Sequence, residues 1–251
     1  MFKIKIADFI IEIDNKFDFI FNQCRGYIYE GEGADFSVSC TMEELLDEEK
    51  VAMTDNEVSS CLSKLKENDR YGYLESICTY RTICLQIPQW DAFIMHSAVI
   101  EVEGDAYAFA ARSGTGKSTH ISLWRKYLGE RVQIVNGDKP IIRLINGDFY
   151  AYGTPWCGKE GWNRNVRARL KGLCFLERAK ENSISKMLPG DAASLIMKQI
   201  LIPKDALGAI QTFELVDKML NKVDSWKLGC NISVEAAEIA YKAMSGGKNE
   251  N

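Results

Sequence analysis

Ala111-Arg112-Ser113-Gly114-Thr115-Gly116-Lys117-Ser118 decides how this chain is read. The stretch fits Gly-x-x-x-x-Gly-Lys-Ser/Thr at every position but the first, where alanine replaces glycine. An apolar run, Ala106 to Ala111, precedes it, and Ile121, Trp124 and Leu128 follow at helical spacing. Strand, glycine loop and helix are the setting a phosphate-binding loop requires. Gly114 and Gly116 let the backbone turn tightly so that its N–H groups converge, and the positive end of the helix faces the same point. Ser113, Gly114, Thr115, Gly116, Lys117, Ser118 and Thr119 therefore form the expected anion cradle. Lys117 would carry its charge to the terminal phosphates of a nucleoside triphosphate, ATP foremost, and the Ser118 hydroxyl would ligate Mg²⁺. Alanine at 111 is harmless provided that the position needs no positive φ.

A metal ion also calls for a carboxylate at the end of a neighbouring strand. Asp138 follows the apolar run Val132-Gln133-Ile134-Val135 and stands about twenty residues beyond Lys117, room for one helix and one strand. Against this, Asn136-Gly137 is a turn dipeptide, and Asp138 can be read as turn chemistry. Cations gather after the loop-like stretch Gly153 to Trp162. Lys159, Arg164 and Arg167 are candidates to clamp phosphate, with a solvated basic strand edge as the plain alternative. His96 opens the strand that leads to the glycine loop; taken alone, such a histidine is more often structural.

Working outward, Phe93 to Val102 reads as one strand, Glu103-Gly104-Asp105 as a turn, and Ala106 to Ala111 as a second strand. Ile141 to Ile145 and Phe149 to Tyr152 read as a hairpin across Asn146-Gly147. Ala168 to Leu176 is a further strand. Helices are expected over Asp191 to Leu201, Asp205 to Leu220 and Ser233 to Met244, with Ala206, Ile210, Phe213 and Leu220 sharing a face of the second. The hairpins argue for an α/β fold on a mixed sheet with flanking helices. Residues 1–91 read as a small α+β attachment for recognition or assembly, 92–245 as the core, and 246–251 as a flexible tail. In the attachment, strands lie within Phe2 to Ile13 and Ala34 to Cys40, and Thr41 with Glu44 makes a capping box. Acids at 43, 44, 47, 48, 49, 55 and 57 read as a solvated face. Apolar positions 74, 77, 80, 84 and 87 form a helix that Pro88 ends.

A net charge of -4 argues against non-specific nucleic-acid binding. No apolar stretch approaches the roughly 18 residues that a membrane span needs. The N-terminus lacks the pattern of a signal peptide. Eight cysteines without a Cys-x-x-Cys pair, and two histidines, make a zinc site a poor fit. Reduced thiols in a cytoplasmic protein are the expectation.

Three segments taken together carry a family resemblance: Met95-His96-Ser97-Ala98-Val99, Ser113 to Ser118, and Val135-Asn136-Gly137-Asp138. In that order they resemble the C-terminal domain of HPr kinase/phosphorylase, which groups with phosphoenolpyruvate carboxykinase among P-loop proteins. The resemblance spans Phe93 to Leu176, continues weakly to Met244, and does not include the first ninety residues. It implies a core of that type, with Lys117 on the β- and γ-phosphates, Ser118 and Asp138 on Mg²⁺, and His96 lining the phosphate site. It further implies ATP-dependent transfer of the γ-phosphoryl group to a hydroxyl, with a serine of a small protein or peptide as the leading acceptor. A small-molecule acceptor and a nucleotide-binding switch with weak catalysis are the alternatives. Carboxykinase chemistry fits poorly, because a second ligand set is not apparent. Relatives are oligomers, so a homo-oligomer is also implied. One departure matters. HPr kinases carry two adjacent aspartates after the second strand, and here Gly137 replaces the first, which would serve as general base. His96, neutral near pH 7, is the obvious replacement, and Gly137→Asp would restore the acid.

Overall fold

The computed structural model describes residues 1–54, 59 and 62–246. The acids Asp55 and Glu57, and positions 247–251 of the expected tail, lie outside the described residues. The chain divides into two compact units, Met1–Gln86 and Ile87–Asn251.

The first unit is built on a three-stranded sheet. Strands β1 (Phe2–Ile6) and β2 (Phe9–Asp14) are antiparallel, and β3 (Phe36–Ser39) lies parallel to β2. Ala7 and Asp8 both adopt positive φ, as a two-residue hairpin turn demands. Alternation sends Ile4, Ile6, Ile11 and Ile13 into the interior. Helix α1 covers Asp18–Gln23, α2 Met42–Ala52 and α3 Glu67–Gln86. The capping box on α2 forms in full: Thr41 Oγ1 accepts from the Glu44 amide, and Glu44 accepts from the Thr41 amide. Helix α3 begins at Glu67, a full seven positions before the apolar periodicity becomes visible at Leu74. Its first turns carry polar residues and rest on the rest of the unit, which periodicity alone does not reveal.

The second unit is a nine-stranded mixed sheet with helices on its faces. In chain order its strands are β4 (Ala92–Ile94), β5 (Ser97–Val102), β6 (Asp105–Ala110), β7 (Val132–Asn136), β8 (Ile141–Ile145), β9 (Asp148–Tyr152), β10 (Arg167–Arg178), β11 (Ser183–Met187) and β12 (Asp224–Cys230). The helices are α4 (Lys117–Leu128), α5 (Pro189–Ile196), α6 (Ala206–Lys222) and α7 (Glu235–Met244). The order runs β4-β8-β9-β10-β6-β5-β7, with β12 on β10 and β11 on β12. The twelve residues of β10 hold this together. Along one edge β10 pairs parallel with β6; elsewhere its first residues pair with β9 and its last with β12.

Strand β6 shows why the layers form. Ala106, Ala108 and Ala110 face one core, shared with Leu215, Val216 and Met219 of α6. Tyr107, Phe109 and Ala111 face the other, shared with Ile121 and Trp124 of α4 and with Ala237, Ala240 and Tyr241 of α7. A strand buried on both faces reads as a continuous apolar run, and it places α4 directly after the glycine loop.

Several expectations need correction. The expected single strand from Phe93 to Val102 is two, because the chain changes partners at Met95-His96. Strand β4 pairs with β8, whereas β5 pairs with β6 and β7. Strands β11 and β12 have no counterpart in the sequence pattern; β12 has only a short apolar content, and its pairing with β10 is non-local. Helix α5 stops at Ile196, not Leu201. On α6 the buried face is Gly208, Thr212, Leu215, Val216, Met219 and Leu220, while Ile210 and Phe213 are exposed. No described helix is long and apolar enough to cross a membrane.

His120, on the inner face of α4, has a thermodynamic signature. Its Nε2 accepts from Trp124 Nε1 (2.9 Å), so its proton sits on Nδ1, which is buried and among the described residues has no hydrogen-bond partner. Burial depresses its pKa to about 4. An unfolded chain therefore binds this proton near pH 6.5 and the native chain only near 4, so native stability falls as pH falls between those values. The effect amounts to ~3 kcal/mol. His96, also depressed, acts in the same direction. The urea midpoint should drop steeply over this interval, and His120→Gln, which keeps an acceptor for Trp124, should flatten most of the loss.

Candidate functional site

The glycine loop joins β6 to α4. Gly114 (φ 74°) and Gly116 (φ 123°) take conformations that a side chain would strain. Ala111 does not have positive φ, so alanine there is compatible with the loop. Gly116 is the N-cap of α4 and no side chain among the described residues caps the helix, so its first-turn N–H groups point to the cradle. Ser118 and Thr119 sit in that first turn, and Ser113 and Thr115 lie in the loop.

Lys117 turns back from the helix. Its Nζ donates to the Ala111 carbonyl (3.3 Å) and lies 2.9 Å from His96 Nε2. The same Nε2 is 2.9 Å from Asp138 Oδ1. The structure thus brings His96, Lys117 and Asp138 together, though they are distant in sequence. One ring nitrogen cannot serve both neighbours at once. With the proton on Nε2 it donates to Asp138; with the proton on Nδ1 it accepts from Lys117. The break between β4 and β5 is what aims the imidazole here. Across it Met95 N donates to Pro140 O, His96 N to Gln199 O and Ser97 N to Asp138 O.

Asp138 is held by Asn136, which the sequence offered only as half of a turn dipeptide. Asn136, fully buried at the end of β7, accepts the amides of Asp138 (2.8 Å) and Lys139 (2.7 Å) on Oδ1. Its Nδ2 donates to the carbonyl (2.9 Å) and hydroxyl (3.2 Å) oxygens of Thr154. Thr154, also fully buried, returns a hydrogen bond to Lys139 O (2.7 Å). The turn is therefore made by the Asn136 side chain, which leaves the Asp138 carboxylate to meet His96 and Lys139. The Asx pattern was visible in Asn136-Gly137-Asp138; the partner Thr154 was not.

Electrostatics follow from this packing. Burial alone raises the Asp138 pKa, but the hydrogen bond from His96 and the charges of Lys139, His96 and Lys117 outweigh it, leaving it at about 2. The group is a carboxylate at any physiological pH. Burial lowers the His96 pKa; Asp138 opposes this, while Lys139 and Lys117 add to it, so the ring is neutral near pH 7. Lys139 Nζ stands 3.4 Å from Asp138 Oδ2 and is a further cation of the site. For Mg²⁺ the donors fit: a deprotonated carboxylate and a hydroxyl are hard oxygen ligands, and Mg²⁺ usually takes few protein ligands beside phosphate and water.

The remaining cations are placed differently. Arg164 donates to Gln133 (3.2 Å), and Arg167 donates to Tyr152 (3.5 Å) and lies over the Tyr150 ring. Lys159 is exposed at the tip of the loop that follows β9. Arg178, which sequence reasoning missed, ends β10 and bridges the carbonyls of Gly114 (2.5 Å) and Thr115 (3.2 Å), so a cation braces the cradle from outside. Its signal is topological: it ends the strand that runs parallel to β6.

No protein-family model matches the chain, and no curated protein matches it. Among solved structures it is similar to the Hpr(Ser) kinase/phosphatase from Coxiella burnetii, at 10% identity, over 61% of this chain and 95% of that one, with a TM-score of 0.35.

Gly137 explains itself sterically. A Cβ there would lie 2.7 Å from the Cys157 carbonyl oxygen and 3.4 Å from both the Cβ and the carbonyl oxygen of Trp162. Its amide donates to Trp162 O (2.8 Å), so this approach is fixed. Gly137→Ala should cost about 1–3 kcal/mol in urea denaturation. Gly137→Asp should be destabilised at least as much and gain no activity, since its carboxylate would displace the loop it needs.

Proposed function

We propose that the unit from Ile87 onward binds ATP with Mg²⁺ and transfers the γ-phosphoryl group to a hydroxyl. A serine of a small protein or peptide is the favoured acceptor. The observation that carries this reading is the convergence of His96, Lys117 and Asp138 beside the uncapped start of α4. Lys117 has the length and charge to leave the Ala111 carbonyl and follow a terminal phosphate. His96 alternates between Lys117 and Asp138, holding the lysine when phosphate is absent and the carboxylate when the lysine departs. Ser118 and Asp138 would hold Mg²⁺, which supplies charge neutralisation for the transferring phosphoryl group. Arg178 steadies the loop carbonyls that would otherwise repel an anion.

In the transfer, the acceptor oxygen bonds to the γ-phosphorus as the bond from that phosphorus to ADP breaks, and the hydroxyl proton leaves to a base. A second reading is a nucleotide-binding switch with weak catalysis; it draws on Gly137, where the site has no acid and a side chain would press on the Cys157 carbonyl oxygen. The motif resemblance to HPr kinase favours the first reading.

Incubation of the full chain with γ-labelled ATP, Mg²⁺ and a pool of serine-containing peptides and proteins should label an acceptor. Lys117→Ala should abolish the label, and Asp138→Asn should reduce it about 10²-fold or more. Label that persists in Lys117→Ala would count against the reading.

A further inference from the structure

The site lacks an obvious base. Asp138 already receives His96 on Oδ1 and Lys139 on Oδ2. The Nε2 atom of His96 is engaged with Lys117 or Asp138 in either tautomer. The Cys157 thiol, pushed up by burial, is a poor base. Position 137 cannot carry an acid without moving the Cys157 carbonyl.

The loop after β9 supplies what is missing. Gly158 (φ 77°) and Gly161 (φ 67°) turn its tip back over Asp138. A Cβ built on Gly158 would sit 3.3 Å from Asp138 Cβ and 3.6 Å from Glu160 Oε2. The Glu160 carboxylate and the Asp138 side chain therefore flank one point. Glu160 is half-buried, and among the described residues its carboxylate accepts no hydrogen bond and joins no ion pair. Its lone pairs are open, unlike those of Asp138. The glycine at 158 keeps the space between the two carboxylates clear of a side chain.

We infer that Glu160 is the general base of the phosphotransfer, standing in from the loop for the acid that position 137 excludes. The assignment rests on the phosphotransfer reading above. The Glu160 carboxylate takes the proton of the acceptor hydroxyl as the acceptor oxygen bonds to the γ-phosphorus. The bond from phosphorus to the ADP oxygen breaks, its electron pair leaves with ADP, and the resulting carboxylic acid returns its proton to water. Close packing at Gly137 and an acid at Glu160 are then two halves of one arrangement: the loop that fills the space of the absent side chain delivers the substitute.

The test uses the full chain in single turnover with γ-labelled ATP and Mg²⁺, water as acceptor, and release of inorganic phosphate as the readout. Beside it, the affinity for a fluorescent ATP analogue is measured in EDTA. Glu160→Ala and Glu160→Gln should slow phosphate release about 10²-fold or more, with analogue affinity within about threefold of the native chain, as expected for a group used only in the transition state. Glu160→Asp should retain part of the rate. Formate should accelerate Glu160→Ala, where it has room to act, and not Glu160→Gln; a structural defect would not respond to formate. Glu160→Ala at near-native rate, with Lys117→Ala inactive, would overturn the role of Glu160 and leave phosphotransfer standing. A slow Glu160→Ala that formate fails to accelerate, or a native chain that binds the analogue without turnover, would also overturn it. A native chain with no affinity for the analogue would overturn both readings.

Discussion

The side-chain amide of Asn136 has both ends satisfied inside the protein, and the geometry of the site depends on that. Its oxygen gathers the amides of Asp138 and Lys139, and its nitrogen is anchored on Thr154. A buried amide left unpaired would cost on the order of 1–3 kcal/mol for each lost partner, so the turn has little freedom. The Asp138 carbonyl is fixed in addition by Ser97 N, one residue past His96. The carboxylate that results is aimed at the imidazole by the backbone on both sides. No tuning of the side chain alone could achieve this.

The same constraint ties three parts of the sheet into one device. The end of strand β7 supplies Asn136 and the turn after it Asp138, the gap between β4 and β5 supplies His96, and the first residue of α4 is Lys117. All three converge because β5 lies between β6 and β7 in the sheet order. Charge then follows position: burial, with Lys139 and Lys117 adding to it, keeps His96 neutral, and against the penalty of burial the hydrogen bond from His96, with Lys139 and Lys117, keeps Asp138 ionised. The loop after β9 closes over the same turn through Gly137, where a Cβ would stand 2.7 Å from the Cys157 carbonyl oxygen and force the backbone to shift. The glycine that looks like a loss in the sequence is a packing requirement in the structure.

What could be read without the structure was what repeats locally. The glycine loop, the apolar face of α4, the Asn146-Gly147 hairpin and the Thr41 capping box are each written in a few adjacent residues. What could not be read was non-local. The break at Met95-His96 exists because the chain exchanges one sheet neighbour for another. Strand β12 exists because β10 is long enough to pair with it beyond β9. The buried face of α6 is decided by the core beneath it; Ile210 and Phe213 are as apolar as the residues that point inward. Asn136 and Arg178 were overlooked for the same reason, since their partners, Thr154 and the Gly114 carbonyl, are far away in sequence.

The proposed phosphotransfer requires that the cradle from Ser113 to Thr119, with Lys117 drawn from His96, recognise the terminal phosphates of a nucleotide. Calorimetric titration of the full chain with ATP and with AMP, both in Mg²⁺, addresses it directly. ATP should bind with a Kd of about 1–100 μM, or roughly −5 to −8 kcal/mol, at least tenfold tighter than AMP, and binding should be lost in Lys117→Ala. Equal affinity for ATP and AMP, or ATP binding that Lys117→Ala leaves intact, would contradict it.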